Sequence, residues 1–209
     1  MKSIGIISCI AISILACAQK KETISKPLKM NTLDTATLGA GCFWCVEAVF
    51  QQMEGVEKIA SGYMGGSKAN PTYKEVCTGN TGHAEVVQVY YDPKKTTFKD
   101  ILEVFFQTHD PTTLNRQGND VGTQYRSAIF YHNEEQKKIA TEIKTQLNAS
   151  GAYDKPIVTE IVPESKFYIA EDYHQNYYND NSAQPYCYYV VKPKVDKFKK
   201  VFKDKIKKN

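Results

Sequence analysis

The stretch Thr35-Ala36-Thr37-Leu38-Gly39-Ala40-Gly41-Cys42-Phe43-Trp44-Cys45-Val46-Glu47-Ala48-Val49-Phe50 changes its period halfway along. Thr35 to Gly39 is a short β-prone run. After Gly39-Ala40-Gly41 the apolar residues Phe43, Val46, Val49, Phe50 and Met53 recur three and four apart until Gly55, which is the spacing of one helix face. A strand therefore feeds a glycine-rich turn and then a helix, with Cys42 at or near the helix's first turn. Free backbone N–H groups and the helix dipole favour thiolate over thiol there, so Cys42 is placed to be a nucleophile near neutral pH. Phe43 fits the buried stripe, whereas Trp44 falls off it. An off-stripe tryptophan beside a nucleophile points to a pocket wall.

The rest of the chain continues the alternation. Val56 to Tyr63 and Glu85 to Tyr91 read as strands, separated by a Gly-, Asn- and Pro-bearing stretch from Met64 to His83 that is long for an idle loop. Thr97 and Asp100 form a capping-box-like start for a helix through Phe106, which His109-Asp110-Pro111 ends. Ser127 to Tyr131 is a strand, Asn133 caps a helix that runs to Gly151, Ile157 to Val162 is a strand, and a Tyr-rich helix is predicted from Ala170 to Asn179. There is no Rossmann glycine fingerprint and no internal repeat. The fold expected is α+β: a two-layer α/β sandwich with a mixed sheet, a ferredoxin-like core carrying extra elements and long loops.

The 209 residues are 42% hydrophobic and 24% charged, which suits one domain at 35–209. Ahead of it, Lys2 and the uncharged apolar run Ile4 to Ala16 read as an export signal too short to span a bilayer. Ile14-Leu15-Ala16-Cys17 resembles the bacterial lipobox, so 1–16 is expected to be a lipoprotein signal peptide and Cys17 the lipidated residue. Residues 17–34 suit a flexible tether. The mature protein is thus expected in the bacterial cell envelope, held by a lipid anchor on the periplasmic side if there are two membranes. Nine lysines and two aspartates between Lys192 and Asn209 give that end +7 in a chain of +4. Val195, Phe198, Phe202 and Ile206 lie at helical spacing within it, so the end reads as a basic amphipathic helix packed by one stripe. Nothing else points to nucleic acid.

Of six cysteines, Cys42, Cys45, Cys77 and Cys187 remain for the domain. In an exported protein, Cys42-x-x-Cys45 is a redox pair before it is half of a metal site, since His83, His109, His132 and His174 are scattered and give no close second ligand pair.

Gly41-Cys42-Phe43-Trp44, Gly62-Tyr63, Asn70-Pro71-Thr72-Tyr73, Glu75-Val76-Cys77-Thr78-Gly79, Thr81-Gly82-His83-Ala84-Glu85, His109-Asp110-Pro111, Arg116-Gln117-Gly118-Asn119-Asp120 and Gly122-Thr123-Gln124-Tyr125-Arg126-Ser127 together closely resemble the A-type peptide methionine sulfoxide reductases. The resemblance runs in order from about Thr35 to Tyr188. It implies Cys42 as the nucleophile on the sulfoxide sulfur and Glu85 as the acid for its oxygen. Tyr73 and Tyr125 would be donors to that oxygen, Asp120 would support the polar side, and Phe43 with Trp44 would hold the S-methyl group. A sulfoxide is a poor electrophile until its oxygen gains a proton, so these residue types suit the chemistry. Attack would leave a Cys42 sulfenic acid, which needs a second thiol.

Cys187, in Pro185-Tyr186-Cys187, resembles the family's distal resolving cysteine, although the family more often has Gly before the Tyr. Cys45 makes the Cys-x-x-Cys of a subset of members. Cys77 is expected to be a buried structural thiol, and Asn179 to Pro185 a mobile stretch that delivers Cys187. The resemblance also implies activity on the S-epimer of methionine sulfoxide in oxidised proteins or peptides. No bound cofactor or metal is expected. The external reductant would be a thioredoxin-like protein or dithiothreitol, and the enzyme is expected to be a monomer. A lipid-anchored thioredoxin-like thiol-disulfide oxidoreductase using Cys42 and Cys45 is the alternative, and it predicts disulfide reduction independent of Glu85.

Overall fold

The computed structural model describes residues 33–208; the signal, Cys17 and nearly all of the tether fall outside the described residues. In chain order it forms β1 (Asp34–Ala40), α1 (Phe43–Phe50), β2 (Val56–Met64), α2 (Tyr73–Cys77), β3 (Ala84–Tyr91) and α3 (Phe98–Thr108). A two-residue hairpin, β4 (Arg116–Gln117) and β5 (Asp120–Val121), precedes β6 (Ser127–Tyr131), α4 (Glu134–Ser150), β7 (Glu160–Pro163), β8 (Tyr168–Ile169), α5 (Tyr177–Asp180) and α6 (Lys192–Val201).

The main sheet has the order β7-β6-β1-β3-β2-β8. Only the β6–β7 pair is parallel, joined by the α4 crossover, and every other pairing is antiparallel. The four central strands β6-β1-β3-β2, with α1 and α3 as their connecting helices, are the ferredoxin-like core expected, and the sheet is mixed as expected. Alternation along the strands sorts their side chains. Ala36, Leu38, Val87, Val89 and Ile129 face Phe43, Val49, Phe50, Ile101, Leu102 and Phe105 from the helices. Met64, Ala84, Val86, Ala128 and Phe130 form a smaller apolar cluster on the other face, covered by Val162 and Phe167.

Local chemistry accounts for most boundaries. Thr97 accepts from the Asp100 N–H while Asp100 accepts from the Thr97 N–H, starting α3; Asn133 caps α4 and Gly151 closes it in the left-handed region. The stretch Met64–His83 holds α2, opened by a reciprocal Thr72–Glu75 capping box. His83 pins its two sides: the Gly66 N–H donates to Nδ1 at 3.0 Å and Nε2 bonds the Lys68 carbonyl at 2.8 Å.

Four expectations are corrected. β7 begins at Glu160 and not Ile157, because the Ile157 N–H donates to Asn148 Oδ1 and the Val158 N–H to the Pro111 carbonyl, taking both out of the sheet. The helix predicted over 170–179 is broken: a 3₁₀ turn at Asp172–His174 and α5 are separated by Asn176 at φ 56°, whose N–H is taken by the Glu47 carboxylate. The basic C-terminal helix ends at Val201, after which the chain turns so that Ile206 bridges Met53 and the Lys205 carbonyl accepts from the Glu54 N–H. Cys77 is exposed, because α2 is five residues long and turns only Val76 inward.

Candidate active site

The β1–α1 turn requires its glycine. Gly41 has φ +89°, and a Cβ there would lie 2.6 Å from the Gln117 side chain. Cys42 follows as the residue capping α1 and makes no side-chain cap bond, so the first helical N–H, that of Phe43, needs another acceptor. It donates to Glu85 Oε2 at 3.0 Å. Glu85 stands on β3 opposite Tyr63 of β2 and is 1% exposed. Burial pushes its carboxyl up from 4.5 to about 8, against the Phe43 N–H, which pulls it down; Asp120 and Cys45 add to the rise. At neutral pH this carboxyl carries its proton, and it sits at the foot of the helix that carries Cys42.

Tyr73 and Tyr125 have their phenols pushed up, first by burial and next by the Glu85 charge, so both stay protonated donors around that carboxyl. The Cys77 thiol also lies near the Tyr73 hydroxyl and adds to its rise. Asp120 Oδ2 accepts from the Tyr186 hydroxyl at 2.8 Å, and Tyr186 in turn touches the Cys42 and Cys45 thiols. Beside Asp120 and Tyr186 opens a groove of about 340 Å³ that also takes in Gln117, Asn119 and Tyr189.

The aromatic wall is built from distant segments. Phe43 is buried against Tyr63, Tyr73 and His174, with centroids 5.9, 6.4 and 5.0 Å away. Trp44 is half-buried and stacks flat on Tyr177 at 3.7 Å, and its Nε1–H donates to His174 Nδ1 at 3.1 Å. Glu171 orders the other side, accepting from the Tyr63 hydroxyl and the Tyr73 N–H, both at 2.8 Å. Glu171, His174, Tyr177 and Tyr186 are the site residues that the sequence reading missed. Their signal lay in Ala170 to Cys187, where polar and aromatic residues crowd around a cysteine.

The thiols differ from expectation. Burial, then the neighbouring Cys45 thiol and the nearby Glu85, holds Cys42 above the ordinary thiol value in the folded protein. The hydrogen bond from Cys42 instead lowers Cys45 to about 7. Cys187 is not on a loose segment. It is fully buried in a π-helical turn, Cys187–Val191, that runs into α6, with Cys45 as its neighbouring thiol. The stretch before it is tied down by the Asn179 amide to Gln51 and the Gln184 N–H to the Asn181 carbonyl. Among the described residues, no three His, Cys, Asp or Glu side chains gather as a metal set.

The family model for peptide methionine sulfoxide reductase matches residues 34–206. The chain is 55% identical over 174 residues to a peptide methionine sulfoxide reductase MsrA of Trichodesmium erythraeum, covering 83% of this chain and 98% of that one. It is 59% identical over 174 residues to MsrA 1 of Rhodopirellula baltica, covering 83% and 90%. The solved methionine sulfoxide reductase A of Corynebacterium diphtheriae superposes with a TM-score of 0.66 at 38% identity, covering 77% of this chain and 78% of that one. With a protonated buried carboxyl, two phenols and an aromatic wall around a helix-capping cysteine, the chain belongs to the peptide methionine sulfoxide reductase family.

Proposed function

We propose that Cys42 attacks the sulfoxide sulfur of a methionine S-sulfoxide held against Phe43 and Trp44, while Glu85 gives its proton to the oxygen and Tyr73 and Tyr125 donate hydrogen bonds to it. The observation that carries this reading is the Glu85 carboxyl, 1% exposed, bonded to the first N–H of the helix that Cys42 caps and pushed up to about 8. A carboxyl kept neutral at pH 7 is an acid ready to hand over a proton, and its conjugate base is stabilised by the Phe43 N–H once the proton has left. Asp120 acts through Tyr186, whose hydroxyl it orients toward the thiol pair.

The sum of the step is balanced: the sulfoxide sulfur is reduced by two electrons to the thioether, Cys42 is oxidised by two to the sulfenic acid, and the oxygen passes between them. Cys45 and Cys187 then return Cys42 to the thiol through disulfides, and a thioredoxin-like dithiol protein, or dithiothreitol in vitro, reduces the last of them. A lipid on Cys17 and the tether of 17–34 would hold this domain, 35–209, at the envelope membrane, where oxidised proteins or peptides are its substrates.

The test is a single turnover on the two epimers of a peptidyl methionine sulfoxide without external reductant. One equivalent of methionine is expected from the S-epimer with wild type, none with Cys42→Ser, and release slowed roughly 10²-fold or more with Glu85→Gln. Unslowed release from Glu85→Gln removes the acid role.

A further inference from the structure

Cys45 lies one helical turn inside Cys42, its N–H bonded to the Cys42 carbonyl at 3.1 Å, and it is 1% exposed. Behind it is a crevice of about 10 Å³ lined by Cys45, Val49, Phe105, His109 and Lys194. That leaves room for about one water, so the thiol faces an almost dry wall. His109 brings no charge to it. Both its ring nitrogens are engaged, Nδ1 with the Phe105 carbonyl at 2.6 Å and Nε2 with the Ser127 hydroxyl at 2.8 Å, and burial pulls it down to about 4. Lys194, from the first turn of α6, is the cation in that lining, and among the described residues it forms no salt bridge. Lys194 also lines the groove that holds Asp120, but no carboxylate among the described residues comes within salt-bridge distance of it, which leaves its charge available to the buried thiol.

We infer that Lys194 is a positioning residue for regeneration: its ammonium holds Cys45 as the thiolate that captures the Cys42 sulfenic acid, which places Cys45 ahead of Cys187 in the relay. This rests on the reading of Cys42 as the atom that receives the oxygen. The other groups facing Cys45 do not replace the lysine. Cys42 lowers Cys45 most in the resting enzyme, but that thiol is gone once Cys42 is oxidised; the Tyr186 hydroxyl favours the Cys45 anion less than Lys194 does, and Asp120 opposes it. Of the influences that persist into the resolving step, the lysine's field is the largest that favours the thiolate.

The step balances. The Cys45 thiolate attacks the sulfenic sulfur, the Cys42–Cys45 bond forms, and hydroxide leaves with a proton as water. Cys187 then attacks the Cys45 sulfur, giving Cys45–Cys187 and a free Cys42 thiol with no net change in oxidation state.

The experiment uses full-length protein carrying Cys187→Ser, so that the relay stops at its first disulfide. Methionine release is followed by rapid quench, and the sulfenic acid by dimedone trapping and mass spectrometry, across pH. Lys194→Met is expected to leave methionine release unchanged, to lengthen the sulfenic acid's life about tenfold at pH 7, and to move the midpoint of the resolving rate to higher pH; Lys194→Arg restores both. Resolution in Lys194→Met at the wild-type rate with an unmoved midpoint overturns the inference. So does loss of the sulfenic acid at the wild-type rate in a Cys45→Ser protein that retains Cys187. Failure of the parent protein to release methionine at all overturns the Cys42 reading and the inference with it.

Discussion

Replacing Glu85 by glutamine separates what this carboxyl does for catalysis from what it costs the fold. In the native state its value stands at about 8 against an ordinary 4.5, so between those two values the folded chain binds a proton that the unfolded chain has released. Stability therefore falls as pH rises through that window: the cost is absent below about 4.5, grows by about 1.4 kcal/mol per pH unit, and levels off above about 8. At pH 7 it amounts to about 3 kcal/mol, and between pH 5 and pH 7 it grows by about 2–3 kcal/mol. Glutamine is a neutral isostere that keeps an acceptor for the Phe43 N–H at Oε1. Its amide hydrogens add an offset of about 1–3 kcal/mol if unpaired, but that offset does not titrate. The assay is urea unfolding of wild type and Glu85→Gln, in the Cys42→Ser background to keep thiols silent, at half-unit steps from pH 5 to pH 8. The variant is expected to gain 2–3 kcal/mol on wild type between pH 5 and pH 7. A difference that stays flat over that range would mean that Glu85 is ionised in the folded protein, and its role as an acid would go with it.

Gly41→Ala is expected to lose about 2–3 kcal/mol and most activity, since it forces a side chain into φ +89° and onto Gln117; thermal unfolding and single-turnover release check it. Trp44→Phe keeps a ring over Tyr177 but loses the bond to His174, so KM for a peptidyl sulfoxide should rise several-fold with kcat little changed, whereas Trp44→Ala should raise KM about tenfold or more. Equal KM values for the two variants would remove the ring-stacking account. Cys187→Ser should still release one equivalent of methionine per chain but recycle at least about tenfold more slowly with a thioredoxin-like donor; steady-state turnover at wild-type rate would leave Cys45 as the sole resolving thiol.

The fold was legible where one local rule acted without competition. Gly41 before a three-four apolar stripe, the Thr97–Asp100 box and Asn133 with Gly151 each mark a boundary that the structure keeps. It was illegible where tertiary bonds overrode the pattern: Ile157 and Val158 alternate like a strand, yet their N–H groups go to Asn148 and Pro111. The capping box at Thr72 and Glu75 was present in the sequence but lost among the glycines around it. Within the site, Cys42 and Glu85 stand out because a nucleophile and an acid announce their chemistry. Glu171, His174 and Lys194 do not, because each acts on a partner more than 90 positions away or across the core. Whether Cys42 rests as thiol or thiolate depends on burial, which the position of a residue in a helix does not reveal.

The wide turn at Cys187–Val191 has a mechanical consequence for the chain around it. A π-helical turn holds one residue more than an α-helical turn, so this helix carries a spare residue of slack at the point where Cys187 sits. Taking up that slack would swivel the segment ahead of it by about 100° and draw it along by about 1.5 Å. Val195 and Phe198, both buried, would keep the remainder of α6 seated meanwhile. The same shift would carry the Cys187 sulfur along with its backbone while the helix beyond stays wound.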